Sequence, residues 1–304
     1  MSDLILHHHD PSPYAEKIRK SFGIKSLAWR SVQVPMAPPK PDLTALTGGY
    51  RGAPVLQIGA AVYCDTALII RTIERLHPSP SLFETGPAVA FAVQHWGDVA
   101  VFRPGAALSL HENAERIPGD VSEDRAAYFS FLDVSRFAED APHFRSKLRA
   151  NARLVEAQLS DGRAFMTGDR PQWVDVSAYF NVWMAGGNIP SSERLFADMP
   201  RLHEWRARID AIGCGARTEI DAAEAIDVAR NATPLEVGAS RPDESGCAPG
   251  DAVAVSQVGF NAEPVLGTLA SVDDDEIVVR RTDPRAGDVA VRFPRLGYRL
   301  SRRD

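Results

Sequence analysis

A serine followed by a proline opens a helical pattern close to the N-terminus. Ser12 offers a hydroxyl at the N-cap position, and Pro13 occupies the first helical position, where its missing N–H costs nothing. Backbone amides and the positive end of the helix dipole favour an anion at such a helix start. A hydroxyl there can donate a hydrogen bond to a thiolate, which lowers the pKa of the thiol and raises its nucleophilic fraction. Ser12 is therefore a candidate catalytic residue, with a plain N-cap as the alternative.

A second group of candidate residues follows further along the chain. Pro54 precedes a short apolar strand, and a cis proline at a strand start would leave Val55 with free backbone groups for an extended ligand. Asp65 and Thr66 stand at another helix start. Amides and the Thr66 hydroxyl suit a carboxylate there, and Asp65 suits an ammonium group. These residues predict a ligand that carries both charges, with a capping pair as the structural alternative.

Three consecutive histidines, His7, His8 and His9, raise the alternative of a metal site. Successive strand residues point to opposite faces, so His7 and His9 can share a face and His8 cannot. Two ligands without a third bind zinc poorly, because a closed zinc site takes four. We predict that the histidines are polar residues at the end of a strand and that no metal is bound.

The elements that must position these residues read as a mixed α/β unit. Apolar runs and helical periodicity alternate over the first 80 residues in the order β, α, β, loop, β, β, α, and Gly23 is predicted to end the first helix. The predicted strands are "LILHH", "SLAWRSVQVP", "PVLQIG" and "AVYC", the last two forming a hairpin about Gly59, and "DTALIIRTIERL" is the second helix.

The pattern of apolar residues changes twice in the rest of the chain. From about residue 85 to 230 the apolar residues follow helical spacing, which predicts an all-α domain. After the polar stretch "ATPLEVGASRPDESGCAPGD", short alternating runs such as "AVAVSQV", "EPVLGTLASV", "EIVVRR" and "VAVRF" predict a small antiparallel barrel or curled sheet.

Composition narrows the class of protein. The 304 residues carry a formal net charge of −6, so nucleic acid is not an expected partner. No apolar run is long enough for a membrane span, and the N-terminus has neither a basic lead nor a long apolar core, so we expect a cytoplasmic protein. Three widely spaced cysteines form neither a disulfide framework nor a CxxC site.

Taken together, the motifs resemble a known family. "SPYAEKIR", "APVLQIG" and the "DT" that stands eleven residues after Pro54, in this order and separation, resemble the thioredoxin-like N-terminal domain of the glutathione transferases. "VDVSAYFNVWM" and "MPRLHEWRAR" are similar to two later helices of that family. Gln172 departs from the pattern, because the family often has Ser or Thr three residues before the position of Asp175.

The resemblance implies a three-part architecture. A thioredoxin-like α/β domain that binds glutathione (residues 1–82) would be followed by an all-α domain (85–230) and a small β-barrel-like C-terminal domain (246–304). The last part is an addition, because ordinary glutathione transferases end with the helical domain.

The resemblance also implies roles for the candidate residues. Ser12 matches the position that steadies or attacks through sulfur, and Val55 matches the residue whose backbone pairs with the cysteinyl part of glutathione. Asp65 and Thr66 match the pair that holds the γ-glutamyl end, and Pro54 matches the cis-proline. Ala15 stands where a dithiol reductase has its second cysteine, so no resolving thiol is present.

The implied function is a detoxification enzyme that activates the thiol of glutathione, its co-substrate, for attack on a small hydrophobic electrophile. The resemblance implies a homodimer, with no metal, membrane or nucleic acid involved. Two alternatives stay open: a non-catalytic glutathione-binding or protein-interaction scaffold, and a glutathione-dependent reductase or dehalogenase.

Overall fold

A computed structural model describes residues 3–234, 237–241 and 243–303. Six residues lie outside the described residues: Met1 and Ser2, Leu235, Glu236 and Pro242 of the polar stretch before the C-terminal domain, and Asp304. The chain divides into two compact units. The first comprises Met1–Ile18, Leu27–Arg75 and Ala216–Asp304, and the second comprises Arg19–Ser26 and Leu76–Gly215. The domain boundaries given above stay predictions.

The first unit is built on one sheet. Within the described residues it has ten strands in the order β10-β6-β7-β8-β9-β4-β3-β1-β2-β5. The strands are β1 (Ile5–His8), β2 (Ala28–Gln33), β3 (Val55–Ile58), β4 (Ala61–Cys64), β5 (Ala216–Glu219), β6 (Ala252–Gln257), β7 (Val265–Val272), β8 (Glu276–Asp283), β9 (Gly287–Pro294) and β10 (Tyr298–Arg302).

The N-terminal strands confirm the predicted mixed α/β arrangement. Strand β1 runs parallel to β2 and antiparallel to β3, with Ile5 opposite Gln57. β3 and β4 form the predicted hairpin, and Gly59 at its turn has a φ of +60°, a left-handed conformation that glycine adopts without a Cβ clash.

The predicted C-terminal β region is also confirmed, and it continues the N-terminal sheet. Strands β6 to β10, called here the C-terminal strands, pair antiparallel with one another. β9 then pairs parallel with β4, with Val291 opposite Val62. A single buried apolar cluster contains Val55 and Val62 from the N-terminal strands together with Val279 from the C-terminal strands. The two sets of strands therefore share a core.

Helices complete both units. The first unit has α2 (Pro41–Thr47), α3 (Thr66–Leu76) and α11 (Ala222–Arg230), and α1 (Pro13–Ile24) begins in it. The second unit contains α4 (Pro87–His95), α5 (Phe102–Glu112), α6 (Gly119–Tyr128), α7 (Phe137–Gln158), α8 (Trp173–Asn188), α9 (Ser192–Phe196) and α10 (Pro200–Ala211). A π-helical turn (Trp96–Val101) joins α4 to α5. None of the helices described here is both long and apolar enough to cross a membrane.

The prediction that Gly23 ends α1 is wrong, because the helix continues through Ile24. A different contact requires glycine here. A Cβ at position 23 would lie 2.4 Å from the Gly213 carbonyl oxygen, closer than any real Cβ contact. Glycine at position 23 thus allows a close approach of backbone to backbone and does not act as a helix cap.

Three further elements lack a counterpart in the sequence prediction: α2, β5 and β10. Helix α2 did carry recognisable signals, because Pro41 begins it and Gly48 ends it in a left-handed conformation. Its seven residues are too few for a clear helical period. β5 is exposed along its whole length, so it has no apolar alternation to reveal it.

The departure at Gln172 does not weaken the start of α8. Gln172 is the N-cap, its side chain accepts from the backbone of Asp175, and the Asp175 carboxylate accepts from the Gln172 N–H at 3.0 Å. This reciprocal pair is a capping box in which glutamine replaces the usual serine or threonine. The other carboxylate oxygen of Asp175 accepts from Met166 N (2.7 Å) and Trp205 Nε1 (2.9 Å).

Candidate glutathione site

Three adjacent strands bring the predicted site residues to the same end of the sheet. His7 on β1 lies opposite Val55 on β3, and Val55 lies opposite Cys64 on β4. Strands β1 and β4 end at this side of the sheet, and β3 begins there. Ser12 therefore follows β1, Val55 begins β3 and Asp65 follows β4. Because adjacent strands are about 4.8 Å apart, the row spans about 10 Å, a distance that suits an extended tripeptide.

Ser12 is buried and lies at the start of α1. Its Oγ accepts a hydrogen bond from Ala15 N at 3.1 Å, which is the N-cap contact expected from the sequence. Its own backbone N–H donates to the His9 carbonyl at 3.0 Å. The hydroxyl proton is donated to none of the residues that the structure describes. The side chain can therefore cap the helix and still donate to a bound sulfur atom.

The peptide bond between Ala53 and Pro54 is cis, in agreement with the form proposed for Pro54. Val55 follows as the first residue of β3, and its side chain is fully buried. The pairing of Val55 with a cysteinyl group remains a prediction.

Asp65 adopts a left-handed backbone conformation, with a φ of +74°. This conformation is uncommon outside glycine and is tolerated best by Asn and Asp. Asp65 caps α3, because Oδ1 accepts from Ala67 N at 2.9 Å. The next residue, Thr66, begins α3 and is buried, and none of the described residues shares a hydrogen bond with its hydroxyl. The capping alternative thus holds for Asp65 and leaves the Thr66 hydroxyl available.

Sequence reasoning missed a residue from the C-terminal strands that reaches this end of the sheet. Tyr298, the first residue of β10, donates to Asp65 Oδ2 at 3.2 Å. β10 is five strands away from β4 in the sheet order, a separation of about 24 Å in a flat sheet. The contact shows that the C-terminal strands curl back on themselves, as in the barrel-like arrangement that the sequence predicts.

A groove of about 660 Å³ lies beside the turn that precedes Pro54. Its lining includes Lys40 and Arg51, together with Asn261 and Glu263 from the loop between β6 and β7. Lys40 is largely buried and its Nζ donates to the Arg51 carbonyl at 3.1 Å. The C-terminal strands therefore contribute to this groove through the loop between β6 and β7.

The histidines serve the sheet, as the strand alternation predicts. His7 Nε2 lies 2.8 Å from Gln57 Oε1, and His8 Nε2 lies 3.0 Å from Ser31 Oγ. The Gln57 amide already donates to the Ala225 and Gly59 carbonyls, so His7 is the donor. Burial lowers the pKa of His7 to about 4, which keeps the ring neutral. Among the described residues, no group of three or more acidic, His or Cys side chains is placed to hold a metal ion.

A buried thiol lies beside the site but is not suited to nucleophilic attack. Cys64, the last residue of β4, is fully buried. Burial, and to a lesser degree the charge of Asp65, raises the pKa of Cys64 well above its ordinary value. The thiol is therefore protonated at neutral pH, and a thiolate at this site must come from a ligand.

Comparisons with known proteins identify the family of the chain. The family model of the glutathione S-transferase N-terminal domain matches residues 6–81, and that of the C-terminal domain matches residues 122–208. No curated protein matches the chain.

Solved structures are similar over part or all of the chain. A GST-like protein from Pseudomonas syringae shares 37% sequence identity, with a TM-score of 0.79 and 100% of both chains covered. A glutathione S-transferase from Rhodospirillum rubrum F11 shares 22% identity over 68% of this chain and 88% of that one, with a TM-score of 0.53. A glutathione S-transferase from Methylobacterium radiotolerans, described in complex with glutathione sulfonate, shares 20% identity over 72% of this chain and 98% of that one, with a TM-score of 0.53.

The Pseudomonas syringae protein matches along the whole chain, including the C-terminal strands, whereas the other two show the shared fold. The sheet with a cis-proline before β3, the helical second unit, the two family models and this full-length match lead to one conclusion. The chain belongs to the glutathione S-transferase family.

Proposed function

We propose that this protein binds reduced glutathione in the row formed by Ser12, Val55, Asp65 and Thr66 and activates its thiol for attack on a small hydrophobic electrophile. The observation that carries the proposal is the hydrogen bonding of the Ser12 hydroxyl. Its oxygen accepts from Ala15 N, while its proton is donated to none of the described residues. A group in this state can donate to a thiolate without losing its structural contact.

Catalysis would rest on stabilising the anion of the thiol. The thiol releases its proton to water, and the sulfur keeps the electron pair. The Ser12 hydroxyl and the amides at the start of α1 stabilise that negative charge and so lower the pKa of the thiol. The thiolate then forms a bond to an electrophilic carbon as the leaving group departs with its bonding electrons. The protein contributes mainly orientation and electrostatics.

The other end of glutathione matches the start of α3. Its γ-glutamyl group carries an ammonium and a carboxylate. The Asp65 carboxylate would pair with the ammonium, and the Thr66 hydroxyl and nearby amides would bind the carboxylate. The glutathione sulfonate bound to the Methylobacterium radiotolerans transferase supports this class of ligand, because that protein shares the fold.

Calorimetric titration with reduced glutathione tests the proposal. We expect saturable binding to the wild type. The Kd of glutathione should be about tenfold higher for Asp65→Asn, because a charge-assisted contact is lost. Asparagine is preferable to alanine here, because it tolerates the φ of +74° and can still accept from Ala67 N. Thr66→Val tests the carboxylate contact in the same way.

Two results would count against the proposal. Absence of binding to the wild type would favour the scaffold alternative. Binding without product would contradict the catalytic part, and mass spectrometry after incubation with an aryl halide measures this directly. A thioether indicates conjugation, whereas oxidised glutathione together with a dehalogenated product indicates the reductase or dehalogenase alternative.

The homodimer, the cytoplasmic location and the role in detoxification belong to this proposal. The homodimer and the role in detoxification rest on the family resemblance, and the cytoplasmic location rests on the sequence pattern. Sedimentation analysis of the purified protein measures the first of them.

A further inference from the structure

The most distant strand of the sheet contacts the candidate site through one hydroxyl. Tyr298 lies 233 residues from Asp65 in the chain, yet its hydroxyl is 3.2 Å from Asp65 Oδ2. The same hydroxyl lies 3.4 Å from the Tyr50 hydroxyl, in the segment that leads to Pro54.

Packing holds the Tyr298 ring in place. The side chain is 5% exposed, and its ring lies 5.3 Å from that of Phe293 and 6.4 Å from that of Tyr50. Burial, followed by the nearby Tyr50 and Asp65, raises the pKa of Tyr298 well above its ordinary value. The phenol is therefore a neutral hydrogen-bond donor at neutral pH.

The Asp65 carboxylate is consequently held at both oxygens. Oδ1 accepts from Ala67 N at 2.9 Å, and Oδ2 accepts from Tyr298. Two fixed donors restrict rotation of the side chain, so less conformational entropy is lost when a cationic group binds.

We propose that Tyr298 is a positioning residue of the glutathione site: it orients Asp65 toward the amino group of the γ-glutamyl moiety. The inference rests on the proposed function and adds that the C-terminal strands are part of the ligand-binding machinery. Because Tyr298 acts through Asp65, its hydroxyl must affect the binding of ligands that contact Asp65.

The test compares two ligands on Tyr298→Phe, which removes the hydroxyl and keeps the ring. The ligands are glutathione and its desamino analogue, glutaryl-cysteinylglycine, which lacks the γ-glutamyl amino group. We expect the Kd of glutathione to rise about five- to tenfold, because the hydrogen bond that orients a charged group is lost. The Kd of the desamino analogue should equal that of the wild type within about twofold. In an Asp65→Asn background, Tyr298→Phe should have little further effect on the glutathione Kd.

Tyr179→Phe is the matched control. The Tyr179 hydroxyl also donates to a carboxylate, that of Asp210, and its ring is fully buried, but both residues belong to the second unit. It should lower the melting temperature without changing the Kd of glutathione.

The outcomes separate the inference from the function beneath it. If the wild type binds glutathione and Tyr298→Phe binds it equally well, or if both ligands weaken equally, the positioning role is overturned while the proposed function stands. If the wild type does not bind glutathione, both fall. Should Tyr298→Phe fail to fold, 3-fluorotyrosine placed at position 298 keeps the hydroxyl. Its fluorine resonance should then shift with glutathione and not with the desamino analogue, and equal shifts would overturn the inference.

Discussion

Ser12 performs a structural and a proposed chemical task with one hydroxyl. Ser12→Ala removes the acceptor for Ala15 N and should cost about 1 kcal/mol of stability. It should also raise the thiol pKa of bound glutathione and lower kcat, because the thiolate loses a donor. Thiolate absorbance against pH and steady-state turnover measure these effects. Ser12→Thr keeps both the hydroxyl and the cap, so it should retain most activity, and wild-type turnover of Ser12→Ala would contradict the role.

His7 makes stability depend on pH. Burial lowers its folded-state pKa from 6.5 to about 4. Below pH 6.5 the unfolded chain takes up a proton that the folded protein does not, so the stability present above pH 6.5 is lost as pH falls toward 4. The loss is on the order of 3 kcal/mol.

We expect His7→Gln, which can still bond to Gln57, to show a shallower fall of the unfolding free energy over this range. Urea denaturation at several pH values measures the slope, and an identical slope for the two proteins would contradict the assignment.

At the scale of single residues, the sequence was sufficient for groups whose role depends on local structure. The caps at Ser12 and Asp65 and the cis form of Pro54 could be predicted because caps and a proline before a strand are local patterns. Tyr298 gave no such signal, because nothing near it in the chain relates it to Asp65.

At the scale of elements, the end of α1 depends on a close backbone contact. A Cβ at position 23 would meet the Gly213 carbonyl oxygen at 2.4 Å and its carbon at 2.9 Å. Since neither is a flexible side chain, Gly23→Ala should destabilise the protein by about 2 kcal/mol.

Gly187 in α8 provides the matched control, because a Cβ there would meet nothing within 4 Å. Gly187→Ala should stabilise by about 0.5–1 kcal/mol through helix propensity. Thermal unfolding of the two variants measures the difference. Equal melting temperatures would contradict the close approach at Gly23.

The start of α8 offers a second prediction at this scale. Asp175→Ala leaves three donors without their acceptor, those of Gln172, Met166 and Trp205, and should cost about 3 kcal/mol or more. Gln172→Ser keeps the capping box but loses the bond from Thr85 N, so it should cost less than about 1 kcal/mol. Chemical denaturation of both variants measures the contrast, and a Gln172→Ser cost as large as that of Asp175→Ala would contradict it.

At the scale of the whole molecule, the shared core makes the C-terminal strands necessary for the first unit. Removing residues 246–304 would expose the edge of β4, where β9 now pairs, and one side of a cluster that includes Val55. Hundreds of square ångströms of apolar surface would lose their cover, so the truncated chain should not unfold cooperatively.

Circular dichroism during heating measures this, with the full-length chain as the control. If the truncated chain keeps a sharp transition and binds glutathione like the full-length protein, the C-terminal strands form an independent domain.

The sequence by itself determined the types and order of most elements, the caps at two helix starts and the presence of C-terminal strands. These follow from alternation, caps and turns, which are set by residues a few positions apart. The tertiary structure decided that β9 joins β4, that Gly213 requires glycine at position 23 and that Tyr298 reaches Asp65. Each of these contacts joins residues that are far apart in the chain, and their proximity depends on how the whole sheet curls and packs.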